Sequence, residues 1–219
     1  MKAAPGQVTK LIAQQRELAD RVDCTDHLAW PPRRIAAVDA AFPGGGQITR
    51  AAAVLYRFPE LECLASAVAE QPTRLPYIPG LLSFRELPAI LAALDQLPET
   101  PNVVLCDGQG IAHPRRFGIA CHLGVETGMP TVGVGKSRLC GQFREPGREK
   151  GSTEALLDGN EQIGVVVRTR SNVKPLFVSI GHRVNLATAV RLTLGCASRY
   201  RLPEPIRSAD RLASLGVST

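Results

Sequence analysis

The chain has no C-x-x-C pair, although it carries six cysteines: Cys24, Cys63, Cys106, Cys121, Cys140 and Cys196. Most stand among apolar neighbours at irregular spacing, which argues against a zinc ligand set and against a disulfide framework. No apolar run approaches membrane length, and Met1 to Gln15 lacks the apolar core of a signal peptide, so a cytoplasmic protein without a membrane partner is expected. No repeat or low-complexity tract appears. Two nucleotide-binding motifs are incomplete. Gly108-Gln109-Gly110 has His113 where a dinucleotide fingerprint needs its third glycine, and Gly135-Lys136-Ser137 has Pro130 where a P-loop needs its first. A phosphate-binding NTPase is therefore disfavoured.

What is present is an ordinary globular composition, 44 % hydrophobic and 21 % charged over 219 residues, suited to one domain spanning 1–219. An N-terminal helix and connection would occupy 1–32 and a core 35–215. The net charge of +6 favours a polyanionic partner without establishing one. Arginine far outnumbers lysine, and its forked donors suit phosphate.

The most informative stretch runs from Val103 to Arg116. An apolar β-branched run, Val103-Val104-Leu105, ends at Asp107, followed by two glycines, His113, Arg115 and Arg116. The carboxyl end of a buried parallel strand is where such sheets place their chemistry. The alternative is an Asp that caps the next turn. Earlier, Ile35 to Phe42 reads as a strand interrupted by Asp39, a costly residue there unless a cation or donors compensate it, or unless it faces water at an edge.

Around these, periodicity predicts an outer amphipathic helix at Gln7–Val22 that contributes packing only. After the Pro43-Gly44-Gly45-Gly46 turn come antiparallel strands at Ile48–Phe58 and Leu61–Ala69. Gln71–Pro79 is a proline-stiffened loop, and Phe84–Leu97 a helix with Pro88 in its first turn. A βαβ unit follows: strand to Asp107, helix Phe117–Thr127, strand Thr131–Gly135. Gly141–Gly159 reads as a surface excursion. Strands are expected at Ile163–Thr169 and Leu176–Ile180, a helix at Asn185–Ala197 with Asn185 as N-cap, and a short helix within Pro203–Leu215. The fold class is α/β, a mixed sheet with its first three strands antiparallel and then parallel ones, helices on both faces. The first and fourth strands then lie side by side and bring Asp39 next to Asp107. Two adjacent acids repel unless a divalent metal joins them.

At this level of detail the sequence resembles the endonuclease V family. The blocks that carry the resemblance are Val38–Phe42, Leu75–Glu86 (with Pro76-Tyr77-Ile78-Pro79), Asp107–Ala120, Gly133–Leu139, Lys174–Arg183 and Arg201–Pro205, in order along nearly the whole chain. The resemblance implies an RNase H-like fold and a Mg²⁺-dependent repair endonuclease, with Mn²⁺ as a substitute. Its substrate would be DNA containing deoxyinosine, nicked at the second phosphodiester 3′ of the lesion to leave 3′-hydroxyl and 5′-phosphate ends. It also implies Asp39, Glu86 and Asp107 as the acidic catalytic and metal-binding set, Lys136 at the scissile phosphate, and Tyr77 as a wedge. Pro76, Ile78 and Pro79 would shape that wedge, and Gly80, Leu82, Gly108 and Ile119 would line a base pocket.

The chain departs from the family in having Gln109 where many relatives have histidine, and Asp210-Arg211 where some have Asp-His. Asp210 is thus an additional acid near the site, while Arg211 is no metal ligand. His113 is open between orienting a water or phosphate and a structural hydrogen bond to backbone; His122 and His182 read as structural. Three further readings stay open: inosine-containing RNA as the main substrate, a non-catalytic nucleic-acid-binding relative, and the oligomeric state, for which a monomer is expected.

Overall fold

The computed structural model describes residues 4–215; the terminal residues that the expected 1–219 domain also takes in lie outside that range. Eight strands form one sheet: β1 (Arg34–Ala41), β2 (Ile48–Arg57), β3 (Glu62–Pro72), β4 (Val103–Asp107), β5 (Thr131–Gly135), β6 (Thr153–Asp158), β7 (Glu161–Val167) and β8 (Leu176–His182). Their order across the sheet is β3-β2-β1-β4-β5-β8-β7-β6. β1 pairs antiparallel with β2 and parallel with β4, β4 pairs parallel with β5, and β8, β7 and β6 extend the sheet in antiparallel fashion. The parallel part is thus confined to β1, β4 and β5 at the centre, where both faces are covered and continuous apolar runs are needed.

Six helical segments accompany the sheet: α1 (Gln7–Ala19), a single irregular turn α2 (Pro43–Gly46), α3 (Leu82–Leu94), α4 (Ile119–Thr127), α5 (Leu186–Cys196) and α6 (Glu204–Leu215). α2 is the expected glycine turn, with Gly44, Gly45 and Gly46 all at positive φ. Asn185 caps α5 by accepting from the Thr188 N–H at 2.8 Å. Among the described residues no helix is long and apolar enough to cross a membrane.

Side-chain alternation sorts the central strands onto two faces. Ile35, Ala37, Val103, Leu105, Val132 and Val134 pack with α5 and α6, whereas Ala36, Val38, Val104 and Cys106 pack with α3 and α4. The same parity puts Asp39 and Asp107, and Lys136 one residue past the end of β5, on the α6 side.

Several boundaries differ from the sequence-based expectation. Gly141–Gly159 contains β6, an edge strand whose exposed charged ends hide the period-two pattern. α3 begins two residues early, at Leu82, so Pro88 lies inside the helix and offers no N–H to the Phe84 carbonyl one turn before it. β3 runs on to Pro72 and takes Gln71 and Pro72 out of the loop.

Candidate active site

The register explains why two acids meet. Val38 is the Cα partner of Cys106 in the parallel β1/β4 pair, and the next residue along each strand is Asp39 and Asp107. Asp107 is in turn paired with Val134 of β5, two residues ahead of Lys136. From the covering helix, α6 directs Asp210 to the same spot. One oxygen from each of Asp39, Asp107 and Asp210 lies within 4.8 Å of the others. Lys136 Nζ stands between two of them, 2.6 Å from Asp107 Oδ2 and 2.7 Å from Asp210 Oδ1.

The electrostatics are those of a site built for a cation. Burial, and then the neighbouring Asp107 charge, push the Asp39 carboxyl up to about 8. Asp107 is also raised by burial, against the opposing pull of the Lys136 ammonium. Burial works against the charged form of Lys136, but its contacts with Asp107 and Asp210 prevail and hold it well above the ordinary lysine range. Asp107 Oδ2 is buried with no directed hydrogen bond; the lysine reaches it as an ion pair only. The donors are all carboxylate oxygens with no Cys or His among them, a set that suits a hard divalent ion. The ammonium marks where positive charge is wanted.

Glu86 approaches from the opposite face of the sheet, on α3, and stands outside the three-acid cluster. Burial, and then repulsion from Asp39 and Asp107, push its carboxyl up to about 8. It shares with Asp107 the wall of a pocket of about 180 Å³ that opens beside the acids. Tyr77, Gly80, Leu82, Gly108, His113 and Ile119 line this pocket together with Gln109, Phe117 and Leu139. Pro76, Ile78 and Pro79 belong to the same loop as Tyr77 but do not line it. Tyr77 is 67 % exposed at the mouth, with Leu139 52 % exposed across from it. Gly108 sits at φ +157°, and a Cβ there would approach Ile119 Cγ2 to 2.7 Å, so only glycine keeps this wall open.

His113 lines the pocket wall and is held by backbone. It is buried, its Nδ1 accepts from the Arg115 N–H at 3.1 Å, and the Gly80 carbonyl lies beside the ring. Burial, and then the Arg115 charge, hold it neutral with a pKa of about 4. His122 is buried between Phe84 and Phe117 with Nδ1 3.1 Å from the Ser83 hydroxyl, and His182 Nδ1 accepts from the Asp23 N–H. Of the arginines near the site, four are engaged within the protein, Arg138 through a bond to the Gly141 carbonyl at 3.2 Å. Arg85 stacks on Phe42 and donates to Gly46, Arg115 binds Gln15 and Gly80, and Arg116 pairs with Asp158 and Glu161.

A model of the endonuclease V family matches residues 16–211. The chain belongs to the endonuclease V family. An endonuclease V from Nostoc punctiforme is 50 % identical over 210 residues, covering 96 % of this chain and 95 % of that one. A crystal structure of endonuclease V from Streptomyces avermitilis superposes with a TM-score of 0.91 at 45 % identity, covering 95 % and 92 % of the two chains. That of the Ciona intestinalis endonuclease V, in complex with a 24mer DNA containing an inosine followed by a ribo-adenosine, superposes at 0.84 with 28 % identity over 95 % and 96 %. The protein is therefore an endonuclease, a metal-dependent phosphodiester hydrolase, and its acidic cluster offers oxygen donors that could hold a metal.

Proposed function

We propose that this endonuclease V recognises hypoxanthine in deoxyinosine and nicks the second phosphodiester 3′ of the lesion, leaving 3′-hydroxyl and 5′-phosphate ends. The observation that carries the reading is the three-acid cluster with Lys136 placed directly beside a base-sized pocket whose mouth bears an exposed tyrosine. The Ciona relative's inosine-containing DNA supports the choice of lesion.

In this reading Asp39, Asp107 and Asp210 hold the metal, for which we propose Mg²⁺, with Mn²⁺ as a substitute. A divalent ion there supplies an acidified water and draws charge from the phosphate oxygens. Glu86, neutral over most of the physiological range without the metal, holds a water next to Asp107. Lys136 moves its ammonium from the carboxylates to the scissile phosphate once their charge is compensated. The deaminated base leaves the duplex at a cost of a few kcal/mol, least for a mispaired base, and enters the pocket beside Gly80, Leu82, Gly108 and Ile119. Tyr77 takes its place in the stack, carried on a loop stiffened by Pro76, Ile78 and Pro79. His113 lines the pocket as a neutral ring. The protein works on DNA as a cytoplasmic repair enzyme, with 1–219 as one domain.

The test is Mg²⁺-dependent nicking of end-labelled 5′- and 3′-strands carrying one inosine, in matched DNA and RNA duplexes. A single 5′ DNA product ending at the nucleotide immediately 3′ of inosine is expected. Cleavage at another bond, or preference for RNA, would overturn the corresponding part of the reading.

A further inference from the structure

The N-terminal helix does more than pack on the outside. Gln15 of α1 lies one residue ahead of the segment matched to the family, yet it has no exposed surface. A buried glutamine is costly unless its two N–H groups and its oxygen are all satisfied. All three are. Nε2 donates to the Gly80 carbonyl at 3.0 Å and to the Phe117 carbonyl at 2.8 Å, and Oε1 accepts from Arg115 Nε. Arg115 Nη2 donates to the same Gly80 carbonyl at 2.7 Å.

Gly80 and Phe117 both line the base pocket, one at the end of the tyrosine loop and one just before α4. The Gly80 backbone is left-handed, φ +77°, and a Cβ there would come within 2.5 Å of Arg115 Nη2. One residue on, the Leu81 N–H closes a turn on the Ile78 carbonyl at 3.0 Å, directly under Tyr77. The tyrosine loop is thus fastened by its own turn on one side and by the Gln15–Arg115 pair on the other.

We propose that Gln15 is a positioning residue for lesion recognition, clasping the tyrosine loop to the segment before α4, directly and through Arg115. The proposal rests on the reading of the pocket as the base site. No other side chain of this length supplies two donors and an acceptor: glutamate keeps the Arg115 bond and loses both donors, and leucine loses all three.

The test pairs Gln15→Leu with Tyr77→Ala in a double-mutant cycle, read by single-turnover nicking of an inosine duplex. Each single change is expected to lower the rate about tenfold, from an unmade buried hydrogen bond or a lost stack. The double variant should fall little further, since both act through the placement of one loop. The half-saturating Mg²⁺ concentration should not move. In the DNA-free protein, amide exchange of the peptide covering residues 76–84 should speed up, while that covering 103–107 stays as in wild type. Losses that multiply to about a hundredfold would overturn the proposal, as would unchanged exchange at 76–84. Should Gln15→Leu fail to fold, Gln15→Glu takes its place under the same criteria. If the wild type does not nick inosine DNA, the functional reading fails, and exchange at 76–84 alone decides whether Gln15 fastens the loop.

Discussion

Replacing Asp39 by asparagine should abolish nicking and at the same time make the metal-free protein more stable. The reason lies in the crowding of carboxylates at the ends of β1 and β4. Burial and the Asp107 charge push Asp39 up to about 8, far above its ordinary 3.8. A folded-state pKa raised in this way means that stability is full below the unfolded value and is lost as pH rises toward the folded one. Wild type without metal should therefore weaken between about pH 4 and pH 8, and the variant should escape that part of the loss. Replacing one buried charge by a neutral isostere is worth about 2 kcal/mol here, discounted because Lys136 already compensates part of it. For a chain of this length that is a rise of roughly 4–8 °C in Tm. Thermal melts in EDTA at pH 4, 6 and 8, repeated with Mg²⁺, would measure it. The gap should be absent at pH 4 and full at pH 8. Mg²⁺ should raise the wild-type Tm and leave the variant's nearly unchanged. A variant less stable than wild type at pH 8 without metal, or stabilised by Mg²⁺ to the same extent, would refute the reasoning.

Three further outcomes are expected. Tyr77→Ala should slow single-turnover nicking of an inosine duplex roughly tenfold, and of inosine in a single strand by less, because only the duplex must be held open; equal losses would indicate plain stacking. Asp210→Asn should raise the half-saturating Mg²⁺ concentration and leave the unfolding free energy within about 1 kcal/mol of wild type, its ion pair with Lys136 being half-exposed; an unshifted metal titration would remove Asp210 from the site. Binding to an uncleaved duplex in Ca²⁺ should weaken as salt rises, with Arg138→Ala lowering the slope by about one and Arg116→Ala leaving it unchanged, since Arg116 is committed to Asp158 and Glu161; a reduced slope for Arg116→Ala would show that this pair opens on DNA.

Much of the centre of the fold was legible because its signals are local. β-branched runs at Val103–Leu105 and Thr131–Gly135 could only be buried strands, and the period of two then carried Asp39, Asp107 and Lys136 to one face. The family blocks named the tyrosine loop and the pocket glycines. What stayed hidden depends on contacts between distant parts of the chain. The resemblance named Asp210 and Glu86 as acids of the site, but nothing in their neighbours says that α6 brings Asp210 over β1 and β4, or that Glu86 comes from α3 on the far face of the sheet. Gln15 looks like any polar residue of an outer helix; its burial follows from Gly80, 65 residues away, and Phe117, 102 away. The arginines of the site were visible, but not that all four have partners within the protein. β6 was missed because an edge strand with charged ends has no apolar alternation to read.

The central claim is that carboxylates on β1, β4 and α6 hold the metal that cuts, beside the pocket that recognises. Asp107→Asn addresses it most directly, because the amide keeps the shape of a largely buried side chain and removes the charge. Binding to an inosine duplex and Mg²⁺-dependent nicking of the same duplex would be measured on one preparation. Binding within a few-fold of wild type with no detectable nicking is the result expected. Nicking at a near-normal rate in Mg²⁺ would contradict the account.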